Sequence, residues 1–181
     1  MKTIILEGID RAGKSTFARR FETFARKPPL NRKTVTSHYS KPLESTAQEL
    51  IENYLGNFNG ALKAYDMYIM DRSYWGNLIY SQFYRQTKLD SAQVYELHEK
   101  IQKKSDVTYI LFYASPATIL SRFADEKMTK AQHIEDILLA YQYQYQIAQV
   151  IFPDTQFFKI NTSDLETTQK QYTELFHKLA Q

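Results

Sequence analysis

The octapeptide Gly8-Ile9-Asp10-Arg11-Ala12-Gly13-Lys14-Ser15 has the spacing G-x-x-x-x-G-K-[ST]. It follows a short apolar run, Thr3-Ile4-Ile5-Leu6, that is typical of a buried strand. It precedes a segment in which Phe17, Phe21 and Phe24 recur at helical spacing. A strand, a glycine-containing turn and a helix in this order are the structural context of a phosphate-binding loop. The sequence therefore predicts such a loop near the start of an α/β fold, the alternative being an ordinary strand–helix turn.

The fixed positions of this motif have physical roles. Gly8 and Gly13 let the chain curl so that successive backbone N–H groups point at a phosphate. The helix predicted to begin at Lys14 adds the positive end of its dipole. We expect Lys14 to reach the β- and γ-phosphates of ATP and Ser15 to ligate Mg²⁺, which makes Mg²⁺ with ATP the predicted cofactor. The predicted ATP-binding residues of the loop are Gly8, Asp10, Arg11, Ala12, Gly13, Lys14, Ser15 and Thr16.

Strands and helices alternate along the rest of the chain. The predicted strands are residues 3–6, 34–39, 67–70, 107–113 and 156–160. The predicted helices are residues 14–27, 42–55 (ending at Gly56), 78–84, 91–104, a segment from Pro116, 134–152, and a last segment capped by Ser163. This order implies one domain over residues 1–181, with a five-stranded parallel sheet between two layers of helices. Ligands of such folds bind beyond the carboxyl ends of the strands.

Local signals refine several helices. Residues 141–146 alternate like a strand, but apolar residues recur at intervals of three and four over the whole of 134–152, so a helix is predicted there. Helix starts are predicted from capping residues. These are Asp90 with Gln93, Ser115 before Pro116, Thr129 with Gln132, and Ser163 with Glu166.

Composition excludes several classes of protein. The chain has no cysteine, which excludes disulfides, thiol nucleophiles and zinc–thiolate sites, and we expect a cytoplasmic location. No apolar run reaches the roughly 18 residues of a membrane span, and the first apolar run is too short for a secretory signal. The net charge of +3 does not favour a nucleic-acid partner. The basic residues Arg19, Arg20, Arg26 and Lys27 are interpreted as a solvated helix face, with a positive mouth for polyanions as the alternative.

The match extends beyond the loop. Glu7-Gly8-Ile9-Asp10-Arg11-Ala12-Gly13-Lys14-Ser15-Thr16 resembles the signature of the thymidylate kinase family. The resemblance implies the P-loop nucleoside and nucleotide kinase fold, and transfer of a phosphoryl group from ATP to a small nucleotide acceptor. It also implies that Asp10 hydrogen-bonds the sugar 3′-hydroxyl of the acceptor and that Arg11 contacts the γ-phosphate. Members are usually dimeric, so we expect a homodimer.

A second polar cluster, Asp71-Arg72-Ser73, ends the third predicted strand. If that strand lies beside the first, Asp71 comes close to the bound Mg²⁺. The alternative is a strand-terminal ion pair. The family resemblance implies that Arg72 holds the acceptor phosphate, and the acid-Arg-Ser pattern of related deoxynucleoside kinases matches equally well. Tyr74 and Trp75 are predicted to line the acceptor pocket, with a core position as the alternative for Trp75.

Three further positions follow from the resemblance. His38 and Lys41, after the second strand, are predicted to contact the acceptor. Arg122 is predicted to open a short lid around 122–130 and to pack on adenine. The lid carries no arginine-rich insert, as in the subgroup whose catalytic arginine lies in the loop. The element Phe-Ser-Ala-Asn-Arg, which family members carry before the third strand, is not found.

The sequence thus predicts a kinase that transfers the γ-phosphoryl group of Mg-ATP to a (deoxy)nucleoside monophosphate. Alternatives are a deoxynucleoside kinase, a kinase acting on a nucleotide or modified base within a polynucleotide, and an ATP-binding regulatory module. The predicted catalytic residues are Arg11, Lys14, Asp71 and Arg72, and the predicted metal ligands are Ser15 and Asp71. The predicted acceptor-binding residues are Asp10, His38, Lys41, Arg72, Tyr74 and Trp75.

Overall fold

One or more helices separate each strand from the next along the chain, in a computed structural model that describes residues 1–38, 46–84, 89–123 and 133–180. The strands are β1 (Lys2–Glu7), β2 (Thr34–His38), β3 (Met67–Asp71), β4 (Asp106–Tyr113) and β5 (Gln156–Asn161). The helices are α1 (Lys14–Arg26), α2 (Ala47–Ala64), α3 (Tyr74–Tyr80), α4 (Ser91–Gln102), α5 (Pro116–Arg122), α6 (Ile134–Ile151) and α7 (Leu165–Ala180). The predicted alternation is confirmed.

The five strands form one parallel sheet in the order β2-β3-β1-β4-β5. The connections that follow β1 and β4 run toward opposite edges of the sheet, so a crevice opens at the carboxyl ends of these two strands. Leu6 of β1 is paired in register with Asp71 of β3. The polar residues that follow β1 and β3 are therefore neighbours, as the sequence predicts.

Helices cover both faces of the sheet, as the two sides of β4 show. Phe112 packs against Phe17 of α1 and Tyr172 of α7. Tyr109, three residues earlier and on the opposite face, packs against Trp75 of α3 and Tyr145 of α6. Both β4 side chains are fully buried. The predicted three-layer α/β/α architecture is confirmed.

The ambiguous segment is the helix α6. Its residues at intervals of three and four, from Ile134 to Ala148, are buried, whereas Tyr143 of the alternating stretch is 60% exposed. The period-two alternation is therefore a by-product of a helix that buries one side. The capping box of Asp90 with Gln93 and the Ser115 cap before Pro116 are also confirmed.

Several predicted helix boundaries are wrong. Helix α2 begins at Ala47, after a Thr46–Glu49 capping box, rather than at 42, and it continues through Gly56 to Ala64. Helix α3 ends at Tyr80 rather than 84. Helix α3 begins at Tyr74 rather than 78, since the Ser73 hydroxyl accepts a hydrogen bond from the Trp75 N–H. At α7 the cap is Asp164, whose carboxylate accepts from the Thr167 N–H, and not Ser163. The predicted cap at Thr129 lies outside the described residues.

Gly8 is required where β1 ends. Its φ is +137°, and a Cβ atom there would overlap the carbonyl oxygen of Phe112 in β4. We expect Gly8→Ala to lower the free energy of unfolding by about 2–5 kcal/mol, because strain and steric overlap add. Gly60→Ala is the matched control: its Cβ meets nothing within 4 Å, so it should raise stability by about 0.5–1 kcal/mol. Urea unfolding of both variants checks this, and equal effects would contradict it.

Candidate active site

The loop between β1 and α1 is held in place by hydrogen bonds that its carbonyl groups accept from side chains outside the loop. The carbonyl oxygen of Ala12 accepts a hydrogen bond from Thr162 Oγ1 at 3.0 Å, and that of Gly13 accepts from the Tyr172 hydroxyl at 3.2 Å. A trans peptide directs its C=O and N–H groups in opposite directions. The N–H groups of Gly13 and Lys14 therefore face away from these side chains and remain available to an anion.

Lys14 lies across the inside of the loop. It is only 5% exposed, and its Nζ donates hydrogen bonds to the carbonyl oxygens of Gly8 (2.6 Å) and Ile9 (2.9 Å). Burial lowers the pKa of Lys14, and the negative charges of Asp10 and Glu7 oppose that shift. The ammonium group is thus fixed by weak acceptors at the position where the motif places the end of a triphosphate.

A cleft of about 500 Å³ opens beside the loop. It is lined by Asp10, Arg11, Gly13, Lys14, Ser15, Thr16, Arg19, Arg72 and Phe123. Four of these residues are cationic and one is acidic, a composition that attracts polyanions. Arg19 therefore contributes to the positive charge of the cleft and does not only lie on the solvent-exposed face of α1. Arg26, by contrast, is used in an ion pair with Glu22 and hydrogen bonds to Thr34.

Ser15 and Asp71 form the pair predicted to hold a metal ion. Ser15 Oγ donates a 2.5 Å hydrogen bond to Oδ2 of Asp71, whose side chain is almost fully buried. Asp71 Oδ1 is buried and has no hydrogen-bond partner among the described residues. A hydroxyl beside an unsatisfied carboxylate oxygen fits Mg²⁺, which takes its other ligands from phosphates and water. The described ranges hold no cluster of three His, Asp or Glu side chains suited to bind a metal by itself.

Arg72 and Asp10 form an ion pair on the rim of the cleft, with 2.7 Å between Nη2 and Oδ1. Their backbones are held separately: the Asp10 N–H donates to the Tyr80 hydroxyl at 2.9 Å, and the Arg72 N–H donates to the Leu6 carbonyl at 3.3 Å. The pair links the loop after β1 to the turn after β3. Both side chains also line the cleft, so the acceptor role of Arg72 stays a prediction beside the alternative of a strand-terminal ion pair.

Of the remaining predicted positions, the structure describes His38 and Arg122. His38 Nδ1 lies 3.1 Å from Asp71 Oδ2, at the end of the strand next to β3. Arg122 binds the carbonyl oxygens of Arg11 (2.9 Å) and Thr162, and the Arg11 guanidinium lies 5.6 Å from the centre of the Phe123 ring. Lys41 and most of the predicted lid around 122–130 lie outside the described residues.

Comparison with known proteins agrees with this geometry. A family profile described as thymidylate kinase matches residues 6–173. The chain belongs to the thymidylate kinase family. It is therefore a nucleotide kinase, which is a phosphotransferase. No curated protein matches the chain by sequence. Among the described residues of this family member, no helix combines the length and hydrophobicity needed to cross a bilayer.

Solved structures share the fold of this family member. The YorR protein of Bacillus subtilis, in complex with phosphorylated GDP, has a TM-score of 0.73 and 20% identity, over 98% of this chain and 95% of that one. Thymidylate kinase from Candida albicans has a TM-score of 0.60 and 16% identity, over 99% and 93%. Deoxyadenosine kinase from M. mycoides, with dCMP and dCDP bound, has a TM-score of 0.55 and 17% identity, over 99% and 98%. The expected nucleotide kinase fold is confirmed.

The prediction that Tyr74 and Trp75 line the acceptor pocket is wrong. Both side chains are fully buried. They point into the core between α3 and α4, because α3 starts at Tyr74 and its first turn is held against β1. Trp75 packs on His98 and Phe152, with ring centroids 5.7 and 6.2 Å away. The core alternative for Trp75 is therefore correct, and no acceptor base can stack on it.

His98 is the polar centre of that core. Its Nδ1 lies 3.3 Å from Trp75 Nε1 and 3.0 Å from the Tyr74 hydroxyl, and its Nε2 lies 2.9 Å from Thr155 Oγ1. The indole N–H can only donate, so Nδ1 must be an acceptor and the proton resides on Nε2. Burial lowers the pKa of His98 to about 4. The folded protein therefore requires the neutral imidazole.

This requirement makes stability depend on pH. An unfolded histidine has a pKa of about 6.5, so below that pH the unfolded state binds a proton that the folded state excludes. We expect stability to fall as the pH drops from about 6.5 to about 4, with His98 contributing about 3 kcal/mol of that loss. Urea unfolding at several pH values, compared with His98→Gln, checks this. If the variant shows the same pH dependence as the wild type, the assignment to His98 is wrong.

Several residues that shape the site were not identified from the sequence. Thr162 and Tyr172 hold the loop from β5 and α7, and no local motif marks them. Phe123 lines the cleft from the end of α5. Glu7 had a signal that could have revealed its role, because it is an acid that directly follows the apolar run of β1; the structure shows that it is fully buried.

Proposed function

We propose that this protein transfers the γ-phosphoryl group of Mg-ATP to a (deoxy)nucleoside monophosphate, in the manner of a thymidylate kinase. One observation carries the proposal: the phosphate-binding loop and the Asp10–Arg72 pair line the same cleft of about 500 Å³. A donor phosphate held by the loop and an acceptor held by the pair therefore come face to face. Such proximity accounts for much of the rate of a reaction that needs little covalent assistance from the protein.

On the donor side, the loop N–H groups bind the phosphates. Lys14 exchanges its contacts with the Gly8 and Ile9 carbonyls for the terminal phosphates, which are stronger acceptors. Arg11 neutralises charge on the transferred group. Ser15 and Asp71 would hold Mg²⁺, directly or through water. Such an ion would supply positive charge against the negative charge of the phosphates.

On the acceptor side, Arg72 binds the phosphate and Asp10 the sugar hydroxyl. The charge of the cleft supports a phosphorylated acceptor, because it holds Arg19 and Arg72 in addition to the two cations assigned to ATP. A neutral nucleoside offers no charge to pair with them. An ATP-binding regulatory module needs no acceptor pair at all, so the Asp10–Arg72 pair supports an enzyme.

The related folds do not separate the acceptors, since one solved structure is a thymidylate kinase and another a deoxyadenosine kinase. The test is incubation with labelled ATP, Mg²⁺ and a panel of nucleosides, monophosphates and oligonucleotides, followed by identification of the labelled product. We expect labelled diphosphates. Label in monophosphates would instead establish a nucleoside kinase, and label in oligonucleotides a polynucleotide kinase. Release of inorganic phosphate alone would favour the regulatory module.

Two charge-matched variants sharpen the assay. Arg72→Ala removes the proposed acceptor contact, whereas Arg20→Ala removes an exposed cation of α1 that does not line the cleft. Only Arg72→Ala should raise the KM for the monophosphate. If both variants behave alike, the effect is one of overall charge and the acceptor role of Arg72 is wrong.

The proposal includes a homodimer, as the family resemblance implies, and a cytoplasmic location, which the absence of cysteine favours. Light scattering of the purified protein tests the first point, and fractionation of the source cells tests the second.

A further inference from the structure

Glu7 occupies an unusual position for a charged side chain. It is the last residue of β1, directly before the loop, and its side chain is completely buried. Burial raises the pKa of its carboxyl, which the hydrogen bond from Ser73 and the charge of Lys14 oppose. A buried carboxylate is costly unless several donors compensate it. The partners of Glu7 therefore indicate what it does.

Most of those partners belong to one turn. Glu7 Oε1 accepts hydrogen bonds from the Ser73 N–H (2.8 Å), the Ser73 hydroxyl (2.5 Å) and the Gly76 N–H (3.1 Å). Its other oxygen, Oε2, accepts from the Tyr141 hydroxyl of α6 at 3.3 Å. The carboxylate thus binds the cap residue and the first turn of α3, directly after Arg72. Ordinary core packing does not need a charge at this point, since an apolar residue fills such a position at lower cost.

The turn held in this way carries Arg72 in a strained conformation. Arg72 has a φ of +73°, which is unfavourable for a residue with a side chain. Such a conformation persists only where its surroundings enforce it. On one side the Arg72 N–H is bound to the Leu6 carbonyl, and on the other side Ser73 is bound to Glu7. Both constraints come from the end of β1.

The enforced conformation decides where the Arg72 guanidinium lies. It directs the side chain across the end of the sheet to Asp10, on the rim of the cleft. If the turn relaxed to a negative φ, Arg72 would leave this position. Gly76 fits the same arrangement, because a Cβ there would lie 2.8 Å from Glu7 Oε2.

We propose that Glu7 is a positioning residue for Arg72: its buried carboxylate fixes the turn after β3 so that the Arg72 guanidinium faces the acceptor phosphate. This inference rests on the acceptor role proposed above for Arg72. It assigns Glu7 to the acceptor half of the reaction, although Glu7 is adjacent in sequence to the donor loop. Glu7 itself touches no substrate.

The test compares Glu7→Gln with Tyr141→Phe. Glu7→Gln keeps the shape but loses the charge and places an amide N–H₂ among donors, so the turn loses part of its support. We expect the KM for the acceptor to rise about tenfold, the loss expected for one charged hydrogen bond, while the KM for ATP changes less than about twofold. Tyr141→Phe removes a contact to the same carboxylate outside the turn and should change neither KM. An equal rise in the KM for ATP would show that Glu7 supports the loop instead, and would overturn the proposal.

A second measurement needs no substrate. Hydrogen exchange of the backbone amides of Ser73 and Gly76 should be about tenfold faster in Glu7→Gln than in the wild type and in Tyr141→Phe, because these amides lose a charged acceptor. Unchanged exchange would refute the positioning role. Should the wild type phosphorylate no acceptor, the proposed function fails, whereas the exchange data still decide whether Glu7 fixes the turn. If Glu7→Gln does not fold, Ser73→Ala replaces it, with the same direction of change expected in both measurements.

Discussion

Replacing Lys14 with alanine should lower kcat by at least about a thousandfold, because the variant lacks the one ammonium group that the loop encloses. In the proposed reaction Nζ offsets the charge that develops on the transferred phosphoryl group, and among the described residues no other lysine lines the cleft. The measurement is turnover with saturating ATP and acceptor, together with thermal unfolding to show that the variant is folded. Normal turnover would refute the assignment.

Lys14→Met separates charge from packing. Methionine keeps most of the buried stem of the lysine, so the loop loses the hydrogen bonds to its Gly8 and Ile9 carbonyls but little volume. We expect Lys14→Met to be as inactive as Lys14→Ala and more stable. If methionine restores activity, the lysine acts through packing and not through its charge.

Arg11→Ala should lower kcat by about a thousandfold while the KM for ATP changes less than about threefold. Arg11 lies on the rim of the cleft and is proposed to stabilise charge that develops only in the transition state. An interaction of that kind appears in kcat and not in ground-state binding. Steady-state kinetics with ATP as the varied substrate checks this. An unchanged kcat would remove Arg11 from the catalytic residues.

The backbone at Arg11 supplies a control. Its φ is +66°, a region that glycine adopts without strain and alanine does not. Arg11→Gly should therefore be as inactive as Arg11→Ala but more stable, by about 1 kcal/mol. If Arg11→Gly is clearly more active than Arg11→Ala, the loss of kcat in Arg11→Ala reflects a distorted loop and not the missing guanidinium group. Arg11→Lys, which keeps the charge without the forked geometry, should recover part of kcat.

The parts of the site that the sequence predicts are those with a local signal. The loop from Gly8 to Ser15 is recognised because its glycines and lysine lie at fixed spacing between a strand and a helix. Asp71 follows from topology, since an acid at the end of a parallel strand beside β1 must lie near that loop. The helix α6 follows because its period extends over eighteen residues. In each case the determining information lies within one element or in the order of elements.

The remaining features depend on contacts between distant parts of the chain. The start of α3 was misplaced by four residues, and that error turned Tyr74 and Trp75 from core residues into pocket residues. This start is fixed by the Ser73 cap together with Glu7, which lies more than sixty positions earlier and accepts hydrogen bonds from Ser73 and Gly76. No local pattern in residues 71–80 shows the part that Glu7 plays. The histidine that closes the aromatic core, His98, lies more than twenty positions after Tyr74 and Trp75.

The outer hydrogen bonds of the loop have a consequence for how the protein is made. The hydroxyl bound to the carbonyl of Gly13 belongs to Tyr172, which is added to the growing chain 159 positions later. A ribosome must add β5 and the first half of α7 before this turn receives all of its supports. A nascent chain that ends before Thr162 carries the complete nucleotide signature without the framework that orients its amides. We therefore expect a nascent chain to bind nucleotide only after Tyr172 has been added.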